Sequence, residues 1–508
     1  MNSNYKISII AIMKLKTIVI AMLLWSPTFT LADEGVFTGK PYTPSTNVES
    51  NLPDLGDVSQ TVLSQQDERR IGEQILREVA TSDEVLQDAE VTDYLQALGD
   101  RLATNGPDKQ QKFTFFVVKD KSINAFAMPG GVIGVHTGLF LAVNSESELA
   151  SVLGHEIGHV TQHHLARMLA SQKYDTFKNI AGIALALLVS RSNPQLASGA
   201  LTAASATTIQ RQLDYTREHE READRVGLSI LDNTGFDVRA MPAFFNTLQR
   251  GTRFVEGTAP SFLRTHPLTS ERIADVSNRV QNMTYRQVED SLEFHLVRAK
   301  VRAMQSFPQT AIDEFEDNIK QQRFNNEVAE HYGLAIAYLR KNDVENAVKQ
   351  WQWLKTQGSQ HAFLDNLAAN IEIARHQPKK AELLYTQSLS RFPASRALIY
   401  GAAENYLASR QPDKAIEVIE RKLPLLPNDA NCYDLLAKAY TVKGKVLLKH
   451  QAQAEAYYRK FDINHAVEQM EFAAKASDGN FYEKSIVEAR LKELRRLQDI
   501  EKEAKKNA

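Results

Sequence analysis

The 508-residue sequence predicts an α+β domain followed by an all-α solenoid of helical repeats. Short strand patterns alternate with helical ones only in the first half, and after about residue 290 the chain repeats itself every 34 residues. This length is also too great for a single core. We therefore expect the α+β domain at 61–288 and the repeat domain at 289–500. The formal net charge of −2 gives no reason to expect nucleic acid as a partner.

The N-terminus carries the features of an export signal. Basic residues precede the apolar run Leu15–Trp25, and small residues favour cleavage after Ala32. A transmembrane anchor is the alternative, but a bilayer needs about 20 apolar residues and this run is shorter. We expect a cleaved signal peptide at 1–32, with Met13 as a possible start, and a polar, flexible leader at 33–60.

The α+β domain begins with helices and continues with strands. Apolar residues at three- and four-residue intervals predict helices across Gln65–Leu102. Lys112–Asp120 is expected to be a strand, and Ile123–Phe140 a second strand, a Pro-Gly-Gly turn and a third strand. A long helix follows, with Ser145 or Ser147 as its cap. The strand pair before this helix could offer an edge to an extended peptide, and an ordinary core hairpin is the alternative.

Four of the thirteen histidines fall in the segment GHEIGHVTQHH, at 154–164. His155 and His159 are four residues apart on the predicted helix, so both project from one face and can bind one Zn²⁺. Glu156 points beside the ion, where its carboxylate can act as general base toward water. Gly158 is expected to leave room in front of the metal face. The motif could arise by chance, but its apolar helix and the export signal favour a metallopeptidase.

A catalytic zinc ion needs a third protein ligand and an open fourth position. The charged run REHEREADRVG, at 217–227, places Glu220 and Asp224 four residues apart on a second predicted helix. Glu220 could bind the metal while Asp224 accepts a hydrogen bond from a ligand imidazole and fixes its tautomer. A solvated charged helix is the alternative interpretation of this run.

The other histidines near these motifs divide into three groups. His163 and His164 are expected to continue the first helix, with His163 a turn away from the ion and a ligand role for it the competing idea. His219 is expected to face elsewhere and to be structural. His266 precedes a proline and a capped helix start, so it lies on a loop. A loop histidine that reached the fourth metal position would shut the enzyme by displacing the catalytic water.

The second half has the period of tetratricopeptide repeats, whose paired helices approach closely through small residues. An insertion is expected near 446–462, with Ala466 in a displaced last unit. Cys432, the chain's one cysteine, is expected to be buried and outside any disulfide. Alanines recur 34 residues apart in two series: Ala335, Ala369, Ala403 and Ala437, then Ala347, Ala381 and Ala415.

Together these motifs resemble the CAAX prenyl protease/HtpX-like gluzincin metallopeptidases. The resemblance runs through His155–His159, Glu220–Asp224 and His266 with Pro267. It implies a zincin-like metallopeptidase domain of α+β class followed by an all-α tetratricopeptide-repeat solenoid. With its export signal and repeats, nearly the whole chain is similar to periplasmic members of this family. The chain lacks the spanning helices of membrane-embedded members, so their prenyl-protein chemistry is not expected.

The resemblance also implies roles for individual residues. One Zn²⁺ would be held by His155, His159 and Glu220, with Glu156 as the general base. His266 would be a switchable fourth ligand that keeps the enzyme self-inhibited. The apolar segment at 180–189 is too short to span a bilayer at about 1.5 Å per residue and is expected to be a core helix or lid. The resemblance makes it part of a plug over the site.

The implied function is that of a periplasmic zinc-dependent endopeptidase in the quality control of outer-membrane β-barrel proteins. It would promote the assembly of some barrels and degrade misassembled ones, with the barrel-assembly machinery as a partner. The repeats supply a concave surface for such a partner. Two rivals stay open: a chaperone or assembly adaptor with a largely self-inhibited metal site, and a non-peptidase zinc hydrolase such as a cell-wall amidase.

Overall fold

The computed structural model describes residues 63–171, 217–253 and 261–506. The expected signal peptide at 1–32, the leader at 33–60 and the apolar segment at 180–189 all lie outside the described residues. Within the described ranges, every helix is too short or too polar to cross a membrane.

The first half of the described chain has the predicted α+β character, with three short strands among helices. In chain order its elements are α1 Gln65–Thr81, α2 Ala89–Thr104, β1 Thr114–Val118, β2 Ala125–Met128, β3 Val132–His136, α3 Thr137–Ala142, α4 Glu146–Thr161, α5 His164–Ser171, α6 Arg217–Thr234, α7 Ala240–Arg253, α8 Ser261–Thr265 and α9 Ser270–Gln281.

The three strands form one sheet in the order β1–β3–β2. β3 pairs in parallel with β1 and antiparallel with β2, so β3 is central and β2 lies at an edge. The turn between β2 and β3 is a short 3₁₀ segment, Pro129–Gly131, in which Gly130 and Gly131 both have φ of 76°. Only glycine adopts this left-handed conformation without strain, which explains the Pro-Gly-Gly sequence.

The third strand is shorter than the sequence predicted. It was expected to run to Phe140, but β3 ends at His136. The carbonyl oxygen of Asp120 accepts hydrogen bonds from the Gly138 amide and the Thr137 hydroxyl, each at 2.8 Å. These bonds turn the chain out of the sheet and into α3.

Helix α4 is the centre of the first half. All residues from Glu146 to His159 are buried, and the helix packs against β2, α2, α6 and α7. Its cap is Ser145, whose side chain accepts the backbone N–H of Glu148 at 3.2 Å. Of the two predicted caps, the structure therefore selects Ser145 over Ser147.

Small residues bring α4 and α6 into close contact. A Cβ on Gly158 would lie 3.0 Å from the carbonyl oxygen of Ala223, and one on Gly154 would lie 3.3 Å from that of Gly227. The expectation that Gly158 leaves room in front of the metal face was wrong, because the backbone of α6 fills that space. The glycines instead let the two motif-bearing helices approach each other.

The expected continuation of the metal helix through residue 164 was also wrong. Helix α4 ends at Thr161, and His163 takes a positive φ of 50° before α5 begins at His164. The Gln162 amide closes the last turn on the Gly158 carbonyl at 3.0 Å. The break changes the direction of the chain and therefore the position of the His164 side chain.

The second half is a succession of helical hairpins, and in the described part their first helices begin 33 to 35 residues apart. The expected insertion at 446–462 is a regular helix in that series, so that prediction was wrong. Cys432 is fully buried, as predicted. The elements are α10 Leu292–Gln305, α11 Pro308–Lys320, α12 Glu327–Arg340, α13 Val344–Thr356, α14 Ala362–Ala374, α15 Pro378–Arg391, α16 Arg396–Ala408, α17 Pro412–Lys422, α18 Ala430–Val442, α19 Val446–Arg459, α20 Ile463–Lys475 and α21 Phe481–Lys506.

The repeats hold α2 through a buried carboxylate. Glu90, at the start of α2, accepts hydrogen bonds from Lys300 Nζ at 2.5 Å, Tyr332 Oη at 3.0 Å and Asn366 Nδ2 at 2.8 Å. These donors come from the first helices of three successive hairpins. A desolvated charge with three partners fixes the repeats against the α+β half.

Candidate metal centre

Four predicted site residues converge in the core of the first half. His155, His159, Glu220 and His266 each offer one ligand atom, and these atoms all lie within 4.8 Å of one another. All four side chains are buried. Helix α4 supplies the two motif histidines, α6 supplies Glu220, and the loop after α8 supplies His266.

The ligand atoms face a common point. His155 Nε2 lies 3.0 Å from His159 Nε2, and the Glu220 carboxylate oxygens lie 3.5 Å and 3.3 Å from these two nitrogens. Two imidazoles and a carboxylate are the protein ligands found in many catalytic zinc sites. The donor set thus fits the metal that the spacing predicted, and the crossing of α4 and α6 accounts for the convergence.

Asp224 lies where the sequence predicted, behind a ligand imidazole. Its Oδ1 is 2.9 Å from His155 Nδ1, which leaves His155 Nε2 directed at the common point. Although burial opposes ionisation, hydrogen bonds from Arg272 and His155 hold the pKa of Asp224 below its usual range. An ionised Asp224 therefore fixes the tautomer and direction of this ring.

Arg272 is a central residue that the sequence interpretation missed. Its guanidinium is only 1% exposed and contacts both Asp224 oxygens at 2.8 Å and Glu220 Oε2 at 2.7 Å. It also donates to the Pro267 carbonyl at 2.9 Å, which attaches it to the loop bearing His266. Two buried acids need a buried cation nearby, and this requirement is the signal that could have identified Arg272.

Glu156 is completely buried, and neither of its carboxylate oxygens has a hydrogen-bond partner within the described residues. Burial raises the pKa of this carboxyl, while the nearby His266 and His155 rings lower it. The described polar groups that act on it include the His266 ring, whose Nε2 lies 3.5 Å from Oε1, and the backbone of Ala127, and a buried carboxyl with so few donors calls for an explanation. A role as general base, in which the carboxylate must bind a water molecule, would explain it.

The two motif histidines have opposite electrostatic environments. Although burial opposes protonation, hydrogen bonds to Asp224 and Glu220 raise the pKa of His155 to about 10. Burial lowers the pKa of His159 to about 3. In the metal-free protein one proton is therefore stored on His155, and a metal ion must displace it.

His266 lies between Glu220 and Glu156. Its Nδ1 lies 3.0 Å from Glu220 Oε1, and its Nε2 lies 3.5 Å from Glu156 Oε1. The ring stacks on Phe262 with centroids 4.7 Å apart. The imidazole thus fills the space that a water molecule beside Glu156 would need.

The remaining histidines differ in part from expectation. His163 lies outside the four-residue cluster, with its Nδ1 3.9 Å from a Glu68 oxygen. His164 is fully buried and its Nδ1 lies 2.9 Å from His159 Nδ1, a contact that the sequence did not indicate. His219 lies outside the four-residue cluster, in keeping with the expectation that it faces elsewhere, and its ring stacks on His164 with centroids 4.5 Å apart.

The sheet places one strand edge next to the metal helix. β2 packs against α4, and a narrow cavity beside His159 is lined by Ala127, Met128, Gly130 and Glu68. Among the strands that the structure describes, β3 is central and β2 lies at an edge, so β2 is the member of the predicted pair that can accept a further strand.

Comparison with known families identifies two parts of the chain. Residues 89–280 match peptidase family M48, and residues 372–439 match a tetratricopeptide repeat. The first match contains the whole candidate metal centre, and the second lies within the helical hairpins.

Individual relatives cover most of the chain. The beta-barrel assembly-enhancing protease of Escherichia coli strain K12 is 31% identical over 456 residues, which are 88% of this chain and 92% of the relative. The protein of the same name from Yersinia pestis is 30% identical over 449 residues, 88% of this chain and 92% of the relative. The metalloprotease YcaL of E. coli K12 is 30% identical over 190 residues, 36% of this chain and 66% of the relative.

Proposed function

We propose that this chain, which belongs to peptidase family M48 and is a metallopeptidase with tetratricopeptide repeats, is a zinc-dependent endopeptidase of the periplasm. Its peptidase domain would span 61–288 and its repeat domain 289–500. The observation that carries the proposal is the convergence of two imidazoles and a carboxylate beside the fully buried Glu156.

One Zn²⁺ per chain would be held by His155, His159 and Glu220. When bound, the ion supplies a Lewis acid for the scissile carbonyl and for water. Glu156 takes the proton of the attacking water and passes it to the leaving amine. Asp224 acts by holding the His155 ring at Nδ1, at 2.9 Å, so that its other nitrogen faces the site.

Substrate would bind as an extended segment along β2. This strand is an edge of the sheet and packs on α4, so a peptide paired with it would pass the cavity beside His159. Backbone pairing of this kind recognises extended chains with little regard to sequence. An unfolded or stalled polypeptide meets that requirement, whereas a folded one does not.

His266 would keep the resting enzyme closed as a fourth ligand. Its imidazole lies between Glu220 and Glu156, where the attacking water must stand. The short helix α8 that precedes it is anchored, because Ser261 Oγ donates to Ser122 Oγ at 3.0 Å and the Phe262 amide donates to Ile123 O at 3.1 Å. Opening would require the loop to withdraw the ring.

The biological role would be the quality control of outer-membrane β-barrel proteins, both assisting assembly and degrading misassembled chains. Relatives named beta-barrel assembly-enhancing protease, aligned over 92% of their length, support this role. Unassembled barrel strands are extended segments of the kind an edge strand can capture. The repeats would bind a partner such as the barrel-assembly machinery.

A second candidate is an assembly adaptor whose metal site rarely opens, and the position of His266 favours it. To separate the two, cleavage of unfolded casein and of an unfolded outer-membrane barrel would be compared for wild type, Glu156→Gln and His266→Ala. An endopeptidase loses cleavage by about 10²–10⁴-fold in Glu156→Gln and gains it in His266→Ala. Zinc binding without cleavage by any of the three forms would favour the adaptor, and lysis of peptidoglycan instead of protein would indicate an amidase.

A further inference from the structure

The ring of His164 lies directly behind the ligand histidine His159. The two Nδ1 atoms are 2.9 Å apart, and His164 is fully buried. On its other side, His164 Nε2 lies 3.1 Å from Glu222 Oε2, and Arg167 Nη1 donates to the same oxygen at 2.8 Å. These contacts form a continuous path of polar groups from the half-exposed Glu222 to the metal centre.

One assignment of protons satisfies this path. His159 directs Nε2 at the common point of the ligands, so its Nδ1 carries the hydrogen. That hydrogen meets His164 Nδ1, which must therefore accept it. The proton of His164 then lies on Nε2 and is donated to the Glu222 carboxylate.

The two ligand imidazoles consequently have parallel supports. His155 is held at Nδ1 by a carboxylate, Asp224, which is bound by Arg272. His159 is held at Nδ1 by a neutral imidazole, which is bound in turn by a carboxylate and an arginine. The acids of both supports, Asp224 and Glu222, come from the same turn of α6.

The break after α4 is what makes the second support possible. In a continuous helix, residues five apart are separated by about 140° around the axis, so position 164 would point away from position 159. The positive φ of His163, 50°, ends the helix and turns His164 back under His159.

We propose that His164 is a positioning residue that fixes the tautomer and direction of His159 for metal binding, with Glu222 polarising it from behind. His164 reaches neither substrate nor the reacting atoms, so it is not a catalytic residue. The inference rests on the proposed function, because it takes His159 to be a metal ligand. Loss of a residue that hydrogen-bonds to a metal ligand typically lowers metal affinity 10- to 100-fold.

The test measures Zn²⁺ affinity of the metal-free full chain by competition with a chromophoric chelator. His164→Leu removes the acceptor but fills most of the space, whereas His164→Asn keeps an oxygen where Nδ1 stood. We expect His164→Leu to bind Zn²⁺ about 10- to 100-fold more weakly than wild type, and His164→Asn to recover most of that loss.

A matched control is His331→Leu, which removes another buried histidine that bonds through Nδ1, to Gln350 at 2.6 Å, in the repeats. It should bind Zn²⁺ as wild type does. If His164→Leu binds as tightly as this control, the proposal is overturned. If His164→Asn binds as weakly as His164→Leu, His164 acts by packing alone, and the hydrogen-bond role is overturned.

A second pair covers the case in which His164→Leu does not fold. Glu222→Gln should weaken Zn²⁺ binding, while Glu218→Gln, an exposed neighbour on α6, should leave it unchanged. Equal affinity in these two variants would overturn the proposal. Failure of the wild type itself to bind Zn²⁺ would instead overturn the proposed function, and the inference with it.

Discussion

Replacing Arg272 with methionine should destabilise the metal centre while preserving the volume of the side chain. The guanidinium makes four buried contacts, two with Asp224 at 2.8 Å, one with Glu220 at 2.7 Å and one with the Pro267 carbonyl at 2.9 Å. Its loss removes the guanidinium from two fully buried carboxylates and leaves the protonated His155 as their shared cationic neighbour in the metal-free protein. Breaking a buried ion pair by removing one partner costs about 3–5 kcal/mol.

The loss of stability in Arg272→Met should depend on bound metal and on pH. Bound Zn²⁺ would compensate the charge of Glu220 but not that of Asp224, so the metal should reduce the loss without abolishing it. In wild type the folded-state pKa of Asp224 lies below its usual value. Its contribution is therefore present above about pH 4 and is lost as the pH falls further. The difference between wild type and Arg272→Met should be greatest near neutral pH and shrink in acid.

Hydrogen exchange measured by mass spectrometry, on peptides from α4 and α6, reports this local stability without requiring the whole chain to unfold in two states. At about 1.36 kcal/mol per factor of ten, exchange there should accelerate by about two to three and a half orders of magnitude in metal-free Arg272→Met. Helices α18 and α19 in the repeats serve as the internal reference. Unchanged exchange in α4 and α6, or a loss identical with and without Zn²⁺, would refute the reasoning.

Three further predictions concern the metal, the helix crossing and the repeats. Zn²⁺ must displace the proton of His155, whose pKa is about 10. The apparent Zn²⁺ affinity, measured by chelator competition, should therefore rise about tenfold per pH unit from pH 6 to 9. A flat pH profile would contradict this. A Cβ on Gly227 would lie 3.0 Å from the His155 amide nitrogen. Gly227→Val should therefore push α6 away from α4 and weaken Zn²⁺ binding. A Zn²⁺ affinity equal to that of wild type would show that the two helices can accommodate the larger side chain. Glu90→Leu leaves the buried Lys300 and two other donors with fewer partners and should lower local stability by about 3–5 kcal/mol. Hydrogen exchange should then be faster in α2 but not in α4. Exchange in α2 equal to that of wild type would contradict the role of Glu90 in holding α2 to the repeats.

The sequence predicted those parts of the site that depend on spacing within one helix. His155 and His159 share a face because they are four residues apart, and Glu220 and Asp224 share a face for the same reason. A period of 34 residues likewise predicted the helical hairpins. These features follow from helix geometry, which is local and regular.

The parts that the sequence did not predict depend on contacts between distant segments. Arg272 looked like an ordinary residue in the first turn of a helix, and only the fold brings it to the two acids of α6. His164 was assigned to a continuing helix because its spacing does not reveal the left-handed turn at His163. The position of β2 at the sheet edge follows from strand order, which local patterns leave undetermined.

The most direct test of the metal centre is the zinc content per chain of the purified protein and of Glu220→Ala, determined by plasma mass spectrometry after exhaustive dialysis. Two helices that meet at one ion predict about one zinc per chain in wild type and clearly less in the variant, because the variant loses the charged ligand from α6 and would keep only His155, His159 and the loop residue His266. Equal zinc in both proteins, or none in either, would contradict the account.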